Sequence, residues 1–263
     1  MRERSFPVRS LGSAKPSPPA AEELGKWILD HAGKTVDLTT WEIETSLHAQ
    51  LPAVTHPACG GMFYQTRVAA AFSNISDHTI TAEFDLIPDD ILADCSAAEK
   101  ISRRCWWAVP SPQALHYTDA YFGDADDASA ELADAVTDLC RLMRDAGTAG
   151  HVLIYDDAPD AVDLEHFSGR RYLRYVPDAY LADVLEVQRD LILSKDAVPK
   201  LAGLADCYTI RQVCVTDPDA EALTAVCRLF DPEDVSIAGT APEDGQNEYW
   251  KNLADLRIRF ADL

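Results

Sequence analysis

The chain has 263 residues, 47% of them hydrophobic, so it can form one large domain or two smaller ones with a substantial core. Its 44 acidic and 23 basic residues give a formal net charge of −21, of which residues 1–80 contribute −1 and residues 81–263 contribute −20. Nucleic-acid affinity comes largely from Lys and Arg that neutralise phosphates, so the charge argues against nucleic-acid binding by the acidic part, but not by the first 80 residues.

Cysteine usage and hydropathy indicate the compartment. No run of 18 apolar residues occurs, and the amino terminus lacks the continuous apolar segment of a signal peptide. The seven cysteines are widely spaced and contain no Cys-x-x-Cys motif, which is typical of reduced thiols rather than of a disulfide framework. We therefore expect a cytoplasmic protein that makes no contact with a membrane.

The first 90 residues predict a short arm followed by a helical module. Residues 1–19 contain four prolines and four basic residues against one acid, which is typical of a flexible basic arm. Apolar side chains at helical spacing predict helices over 24–33 and 39–51. The run 62–72 fits either a helix or a strand, and the alternation in 78–87 predicts a strand.

Three short helices followed by a strand resemble a winged helix-turn-helix domain over residues 20–90. The resemblance rests on segment 36–40 (Val-Asp-Leu-Thr-Thr), which leads into the second helix, and on segment 56–63 (His-Pro-Ala-Cys-Gly-Gly-Met-Phe), which opens the third. In such a domain the third helix reads the major groove of DNA, so the resemblance implies that Gln65 and Arg67 contact DNA. Many winged helices bind proteins instead, and Arg67 is the only cation of segment 62–72, so both kinds of partner stay open.

From about residue 105 the pattern changes to strands that alternate with helices. The predicted strands are 115–122, 151–155, 171–176, 207–215 and 235–238, and the predicted helices are 129–146, 178–193, 217–230 and 247–258. Such alternation is typical of an α/β layer structure. The sequence therefore predicts an α/β protein with a small N-terminal helical, winged-helix-like module and an acidic α/β domain over residues 105–263.

Asp156 and Asp157 directly follow the strand predicted over 151–155. Open α/β sheets bind ligands at the carboxyl ends of their strands, and a pair of aspartates can hold Mg²⁺ for phosphoryl transfer or hydrolysis. With 30 aspartates in the chain, about three Asp-Asp pairs are expected by chance, and three occur. A magnesium site and a solvated loop are both open, and the composition favours the loop.

Segment 169–175 places three arginines, Arg170, Arg171 and Arg174, beside Tyr172 and Tyr175. Arginine binds phosphate and carboxylate groups through paired hydrogen bonds, and tyrosine stacks on bases. In so acidic a chain, this cluster either neutralises aspartates around an edge strand or binds an anionic ligand or an acidic partner. It is the best candidate for a functional surface in the sequence.

The sequence contains no strong catalytic motif, so the leading hypothesis is a regulatory or adaptor protein. It would bind DNA or a partner protein through residues 1–90 and a second partner through the acidic part, without a cofactor. The alternative is a Mg²⁺-dependent hydrolase or nuclease that uses Asp156 and Asp157 on a phosphate ester. A third hypothesis is that the acidic surface imitates nucleic acid and occupies a basic partner.

Overall fold

The computed structural model describes residues 3–34, 36–103, 105–167 and 169–259. Eight strands form the framework of this part of the chain. They are β1 (Val8–Ser13), β2 (Ala58–Gly60), β3 (Trp106–Pro110), β4 (His151–Ile154), β5 (Tyr172–Tyr175), β6 (Asp190–Ser194), β7 (Gln212–Thr216) and β8 (Val235–Ala241). All neighbours pair in parallel, in one sheet of order β6-β7-β8-β1 and a second of order β2-β3-β4-β5.

The two sheets meet along both of their edges. Between β1 and β2, Arg9 and His56 form a parallel bridge, and the Ser10 N–H donates to the His56 carbonyl oxygen at 3.0 Å. At the opposite edge, β5 contacts β6. The eight strands therefore close, in chain order, into a parallel β/α barrel.

At least one helix follows each strand of the barrel. The helices are α1 (Ala21–Asp30), α2 (Leu38–Gln50), α3 (Gln65–Ala69), α4 (Asp89–Ile101), α5 (Ala125–Asp145), α6 (Ala161–His166), α7 (Leu181–Val187), α8 (Leu201–Cys207), α9 (Ala220–Cys227) and α10 (Gln246–Ala254). Aspartates begin several of them: Asp37 accepts from the Thr40 N–H in a capping box, and Asp124 and Asp219 cap α5 and α9. None of the described helices has the length and apolar character that crossing a membrane requires.

Side chains of each strand alternate between the barrel interior and the helices. The interior layer is apolar, and its members include Leu11, Ala108, Val152, Leu173, Ile192, Cys214 and Ala238. Intervening residues such as Leu153 and Val213 pack beneath the helices in the main core. The barrel is therefore a packed core rather than a pore, and its two openings are separate surfaces.

The predicted α/β class is confirmed, but the chain is not divided as the sequence suggests. β1 lies in the predicted flexible arm and is largely buried, and β2 lies in segment 56–63, which was expected to open the third helix, and pairs with β3. Both strands are short and buried on both faces, so they lack the alternation that marks a strand. Among the described residues, segment 20–90 is thus part of the barrel rather than a separate winged-helix module.

Other segments agree with their predicted structure only in part. The run 62–72, for which helix and strand were both open, is helical over 62–69, as Met62–Tyr64 forms a 3₁₀ turn that leads into α3. Only Thr79–Ile80 of the strand predicted over 78–87 forms, and only Thr118–Asp119 of the strand predicted over 115–122. Segment 178–193, predicted as one helix, contains both α7 and β6. Leu191 and Leu193 pack under the helices while Ile192 faces the barrel interior, so the apolar run fits a strand as well as a helix.

Candidate active site at the carboxyl end of the barrel

The carboxyl ends of the eight strands surround one opening of the barrel, here termed the carboxyl mouth. In barrels of this architecture, the side chains that bind and transform substrates come from the strand ends and from the loops that follow them. At this opening β5 ends in Tyr175, β6 in Ser194 and β7 in Thr216. These polar residues follow an apolar interior layer, so polar chemistry is concentrated at the mouth.

Asp217 lies at the centre of a small cluster of phenols at the carboxyl mouth. It is the first residue after β7, has a left-handed φ of 43°, and its N–H donates to the Ala238 carbonyl of β8 at 2.9 Å. Its Oδ1 accepts a hydrogen bond from the Tyr249 hydroxyl at 2.5 Å. Its charge also acts on the phenol of Tyr175. The end of β7 thus joins side chains from β5 and α10.

Both phenols of the cluster are kept protonated. Burial is the main cause of the raised pKa of Tyr249, and the hydrogen bond to Asp217 and the charge of Asp217 add to it. Burial also raises the pKa of Tyr175, and the charges of Asp217 and Asp178 add to that rise. A phenol with a raised pKa remains a hydrogen-bond donor at neutral pH. The Tyr249 hydroxyl donates its single proton to Asp217, so Tyr175 is the phenol suited to donate to an oxygen of a ligand.

Helix α10 and strand β8 hold Tyr249 in place. Trp250, the next residue of α10, is fully buried, and its ring makes an edge-to-face contact with Tyr249 at a centroid distance of 4.9 Å. The Tyr249 hydroxyl lies over Gly239, where the Cβ of any other residue would stand. A glycine in β8 therefore makes the approach of the phenol to Asp217 possible.

A second carboxylate, that of Asp178, lies in the loop after β5. It accepts hydrogen bonds from the Ser194 N–H at 3.0 Å and from the Ser194 hydroxyl, which ties the ends of β5 and β6 together. The Lys200 Nζ reaches only the backbone carbonyl of Asp178, at 3.4 Å. Among the described residues, no cation forms an ion pair with the carboxylate of Asp178 or Asp217.

Asp156 and Asp157 follow β4 and reach the carboxyl mouth, as predicted. Asp156 pairs with His116, with 2.7 Å between Oδ2 and Nε2, and Asp157 accepts a hydrogen bond from Tyr180 at 3.2 Å. No group of three or more His, Cys, Asp or Glu side chains in the described ranges is arranged to hold a metal ion. The geometry therefore gives no support to the predicted magnesium site at these aspartates.

The predicted arginine cluster lies together only in part, since one groove is lined by Arg170, Tyr172 and Arg174 but not by Arg171 and Tyr175. Arg170 and Arg171 are exposed in the turn before β5, at the amino end of the barrel. Tyr172 accepts a hydrogen bond from an arginine of α5, and the buried guanidinium of Arg174 donates to two backbone carbonyls beneath α6. Tyr175 lies at the opposite, carboxyl mouth. Strand geometry separates Tyr175 from Tyr172 and Arg174, because successive side chains of β5 point to opposite faces.

The residues expected to contact DNA are engaged within the protein. The Gln65 Nε2 donates to the Ala114 carbonyl at 2.6 Å. Arg67 is only 14% exposed and forms ion pairs with three aspartates: Asp37 at 2.7 Å, Asp90 at 3.2 Å and Asp94 at 3.1 Å. Its charge is thus neutralised internally, contrary to the prediction for a recognition helix.

Sequence reasoning missed the Asp217–Tyr249–Tyr175 cluster because its members are far apart in the chain. The available signal was the strand predicted over 207–215 followed by Asp217, since a polar residue directly after a barrel strand lies at the carboxyl mouth. That signal has meaning only once the strands are known to close into a barrel.

Comparison with solved structures identifies a similar fold. The chain is similar to a B12-independent methionine synthase from Shewanella sp. W3-18-1, solved in complex with selenomethionine, with a TM-score of 0.68 and 13% identity over 95% of this chain and 96% of that chain. Tryptophan synthase from M. tuberculosis, in an aminoacrylate- and BRD0059-bound form, gives a TM-score of 0.42 and 17% identity over 90% of this chain and 82% of that chain. Neither a family model nor a curated protein sequence matches the chain. The first similarity shows a shared fold.

The hypothesis of a regulatory or adaptor protein with a DNA-binding winged helix is therefore wrong. It requires an N-terminal module with a function of its own. Instead, β1 and β2 are strands of the barrel, and the similarity to the fold of an enzyme extends over 95% of the chain.

Proposed function

We propose that this protein is an enzyme whose active site lies at the carboxyl mouth and that it acts on a small substrate with a protonated amine. The observation that carries the proposal is the hydrogen-bonded pair of Asp217 and Tyr249 beside Tyr175, at the end of the barrel where this architecture places catalysis.

The charge of the mouth favours an amine over an anion. Asp217 and Asp178 act on the same phenol, Tyr175, and neither carboxylate is ion-paired among the described residues. A protonated amine between them replaces the missing cation and forms charge-assisted hydrogen bonds. A phosphate or carboxylate group at the same place is repelled by both aspartates.

The phenols provide the complementary chemistry. Because its pKa is raised, Tyr175 keeps its proton at neutral pH and donates it in a hydrogen bond to a substrate oxygen. The hydrogen bond strengthens as negative charge develops on that oxygen, which stabilises the transition state. Tyr249 keeps Asp217 oriented and is a positioning residue for the amine-binding carboxylate.

Ligand binding tests the proposal. A panel of L-amino acids and simple primary amines, each paired with its N-acetyl derivative, is screened by thermal shift, and binding is quantified by calorimetry. We expect saturable binding of an amine and none of its acetylated partner. Asp217→Asn should weaken that binding by about tenfold or more, since hydrogen bonds to charged groups contribute roughly 1.5–3 kcal/mol.

The matched control is Asp206→Asn, which removes one negative charge from the exposed face of α8 and should leave binding unchanged. Amines that bind are then incubated with the protein and followed by mass spectrometry. Tyr175→Phe should retain binding within a fewfold and lose turnover. Absence of saturable amine binding, or equal affinity of the wild type and Asp217→Asn, contradicts the proposal.

A cytoplasmic location is part of the proposal. It is supported by the cysteines, all seven of which are free thiols, with Cys59 and Cys105 unbonded although their sulfurs are 3.1 Å apart. The protein partner expected from the sequence stays a prediction.

A further inference from the structure

The amino ends of the strands surround a cavity of about 200 Å³ at the opposite opening of the barrel, here termed the amino mouth. Three arginines and one acid line it: Arg9 of β1, Arg170 before β5, Arg211 before β7, and Asp190 at the start of β6. In a chain with a net charge of −21, this concentration of positive charge calls for a structural or a functional reason.

One of the three arginines is neutralised within the cavity. Arg211 donates to both carboxylate oxygens of Asp190, from Nε at 3.0 Å and from Nη2 at 2.6 Å. Asp190 cannot also neutralise the other two guanidinium groups. Arg170 has no ion pair among the described residues, and an adjoining groove that Arg170 shares with Arg211 is also lined by Arg189. The cavity therefore retains an excess positive charge of two.

Arg9 is the innermost of the arginines and is only partly satisfied. Its guanidinium carbon lies 4.7 Å from the centroid of the Trp106 ring, and its Nη1 is buried without a hydrogen-bond partner. Burial lowers the pKa of Arg9, although Cys214 and Asp190 act in the opposite direction. A buried hydrogen-bond donor of this kind lowers the stability of the folded protein unless it binds an acceptor.

We propose that the amino mouth is a binding site for a phosphate group, either inorganic or on a small ester, held between Arg9 and Arg170. The planar forks of two guanidinium groups match the oxygens of a phosphate, and its dianionic charge equals the excess charge of the cavity. The site is distinct from the carboxyl mouth, because the apolar interior layer of the barrel separates the two openings. It does not rest on the proposed enzymatic function.

The cavity favours phosphate over a monovalent anion for a geometric reason. Chloride has a single centre and a single charge, so it cannot satisfy the guanidinium groups of Arg9 and Arg170 at the same time. The Trp106 ring forms one wall beside Arg9, and a phosphate that draws the guanidinium toward itself changes the surroundings of the indole. Binding should therefore be visible in tryptophan fluorescence.

Titration calorimetry of the full chain with inorganic phosphate tests the site, with chloride used to keep the ionic strength constant. We expect saturable binding with a Kd of about 1 mM or tighter, which corresponds to roughly −4 kcal/mol. A parallel titration with glycerol 3-phosphate distinguishes the sources: tighter binding of the ester indicates a phosphorylated metabolite, and equal or weaker binding indicates inorganic phosphate. The tryptophan fluorescence change should follow the same isotherm and disappear in Trp106→Phe.

The matched variants are Arg170→Gln and Arg171→Gln, which remove one exposed arginine each from neighbouring positions, of which only Arg170 lines the cavity. Arg170→Gln should weaken phosphate binding about tenfold, and Arg171→Gln should leave it within a factor of two. Arg9→Met should abolish binding, and Arg9→Lys, which keeps the charge, serves if the methionine variant does not fold. No saturable binding to the wild type, or equal losses in Arg170→Gln and Arg171→Gln, would overturn the proposal.

Discussion

The hydroxyl group of Tyr249 occupies the space in which any side chain at position 239 would begin, so Gly239 and Tyr249 are sterically matched across the carboxyl mouth. The same missing side chain would also stand 3.1 Å from Oδ1 of Asp217. The positions of Gly239, Tyr249 and Asp217 therefore depend on one another. A side chain added at position 239 disturbs the cluster without altering its polar groups.

We expect Gly239→Ala to displace Tyr249 from Asp217, because the added methyl group cannot share space with the phenol. The variant should lose about 1–3 kcal/mol of unfolding free energy, as overpacked sites do, and it should bind amines more weakly. Urea denaturation and calorimetry measure the two effects. The control is Gly203→Ala in α8, where a Cβ meets nothing within 4 Å and alanine should add about 0.5–1 kcal/mol. A Gly239→Ala variant as stable as the wild type would contradict the steric match.

Arg67 should act as a structural residue. The carboxylate of Asp94 is 1% exposed, and Arg67 is its cation, at 3.1 Å. Arg67→Met leaves that buried charge uncompensated and should cost about 3–5 kcal/mol in urea denaturation. Arg141→Met removes the partner of an exposed aspartate and should cost less than about 1 kcal/mol. Similar losses in the two variants would show that the Arg67 pair is no stronger than a surface pair.

His151 should make the protein less stable in acid. Burial, with a contribution from Arg144, lowers its pKa to about 3, and neither ring nitrogen has a hydrogen-bond partner. Below its ordinary pKa of 6.5 the unfolded chain binds a proton that the folded chain does not, so stability falls as the pH drops from about 6.5 toward 3.

The variant His151→Phe keeps a ring against Tyr172 and removes this titration. Urea denaturation gives the unfolding free energy of His151→Phe minus that of the wild type. We expect this difference to be about 2 kcal/mol more favourable to the variant at pH 5 than at pH 7. His48→Gln, at an exposed position of α2, should show no such gain. An unchanged difference between pH 7 and pH 5 would mean that His151 takes up a proton in the folded protein.

Asp163 should have the opposite effect. Its side chain is fully buried, and burial, with the charge of Asp160, raises its pKa to about 7. The unfolded chain releases this proton near pH 3.8, so stability decreases as the pH rises from about 4 to 7 and is then constant. The advantage of Asp163→Asn over the wild type should therefore increase by about 2 kcal/mol between pH 5.5 and pH 8 in urea denaturation. Asp206→Asn is the exposed control, and an advantage that does not change with pH would disprove the shift.

Much of the local structure followed from the sequence. The apolar spacing over 129–146 predicts most of α5, the spacing over 39–51 predicts α2, and short apolar runs predict β4 and β5. β1, β2, β3 and β6 were missed because short strands buried on both faces carry no alternation, and β6 continues the apolar spacing of α7. Half of the barrel strands were not identified, so the sequence predicted a layered arrangement with a separate N-terminal helical module instead of a barrel.

By itself the sequence determined the α/β class, the acidic charge and the position of Asp156 and Asp157 after a strand, because each depends on neighbours within a few residues. Only the tertiary structure decided that the strands close into a barrel, since closure requires β1 to pair with β8 across more than 200 residues. Closure brings Tyr175, Asp217 and Tyr249 to one opening and Arg9, Arg170 and Arg211 to the other. Strand polarity is the physical reason: in a parallel barrel all carboxyl ends meet on one side, so residues far apart in the chain share a site.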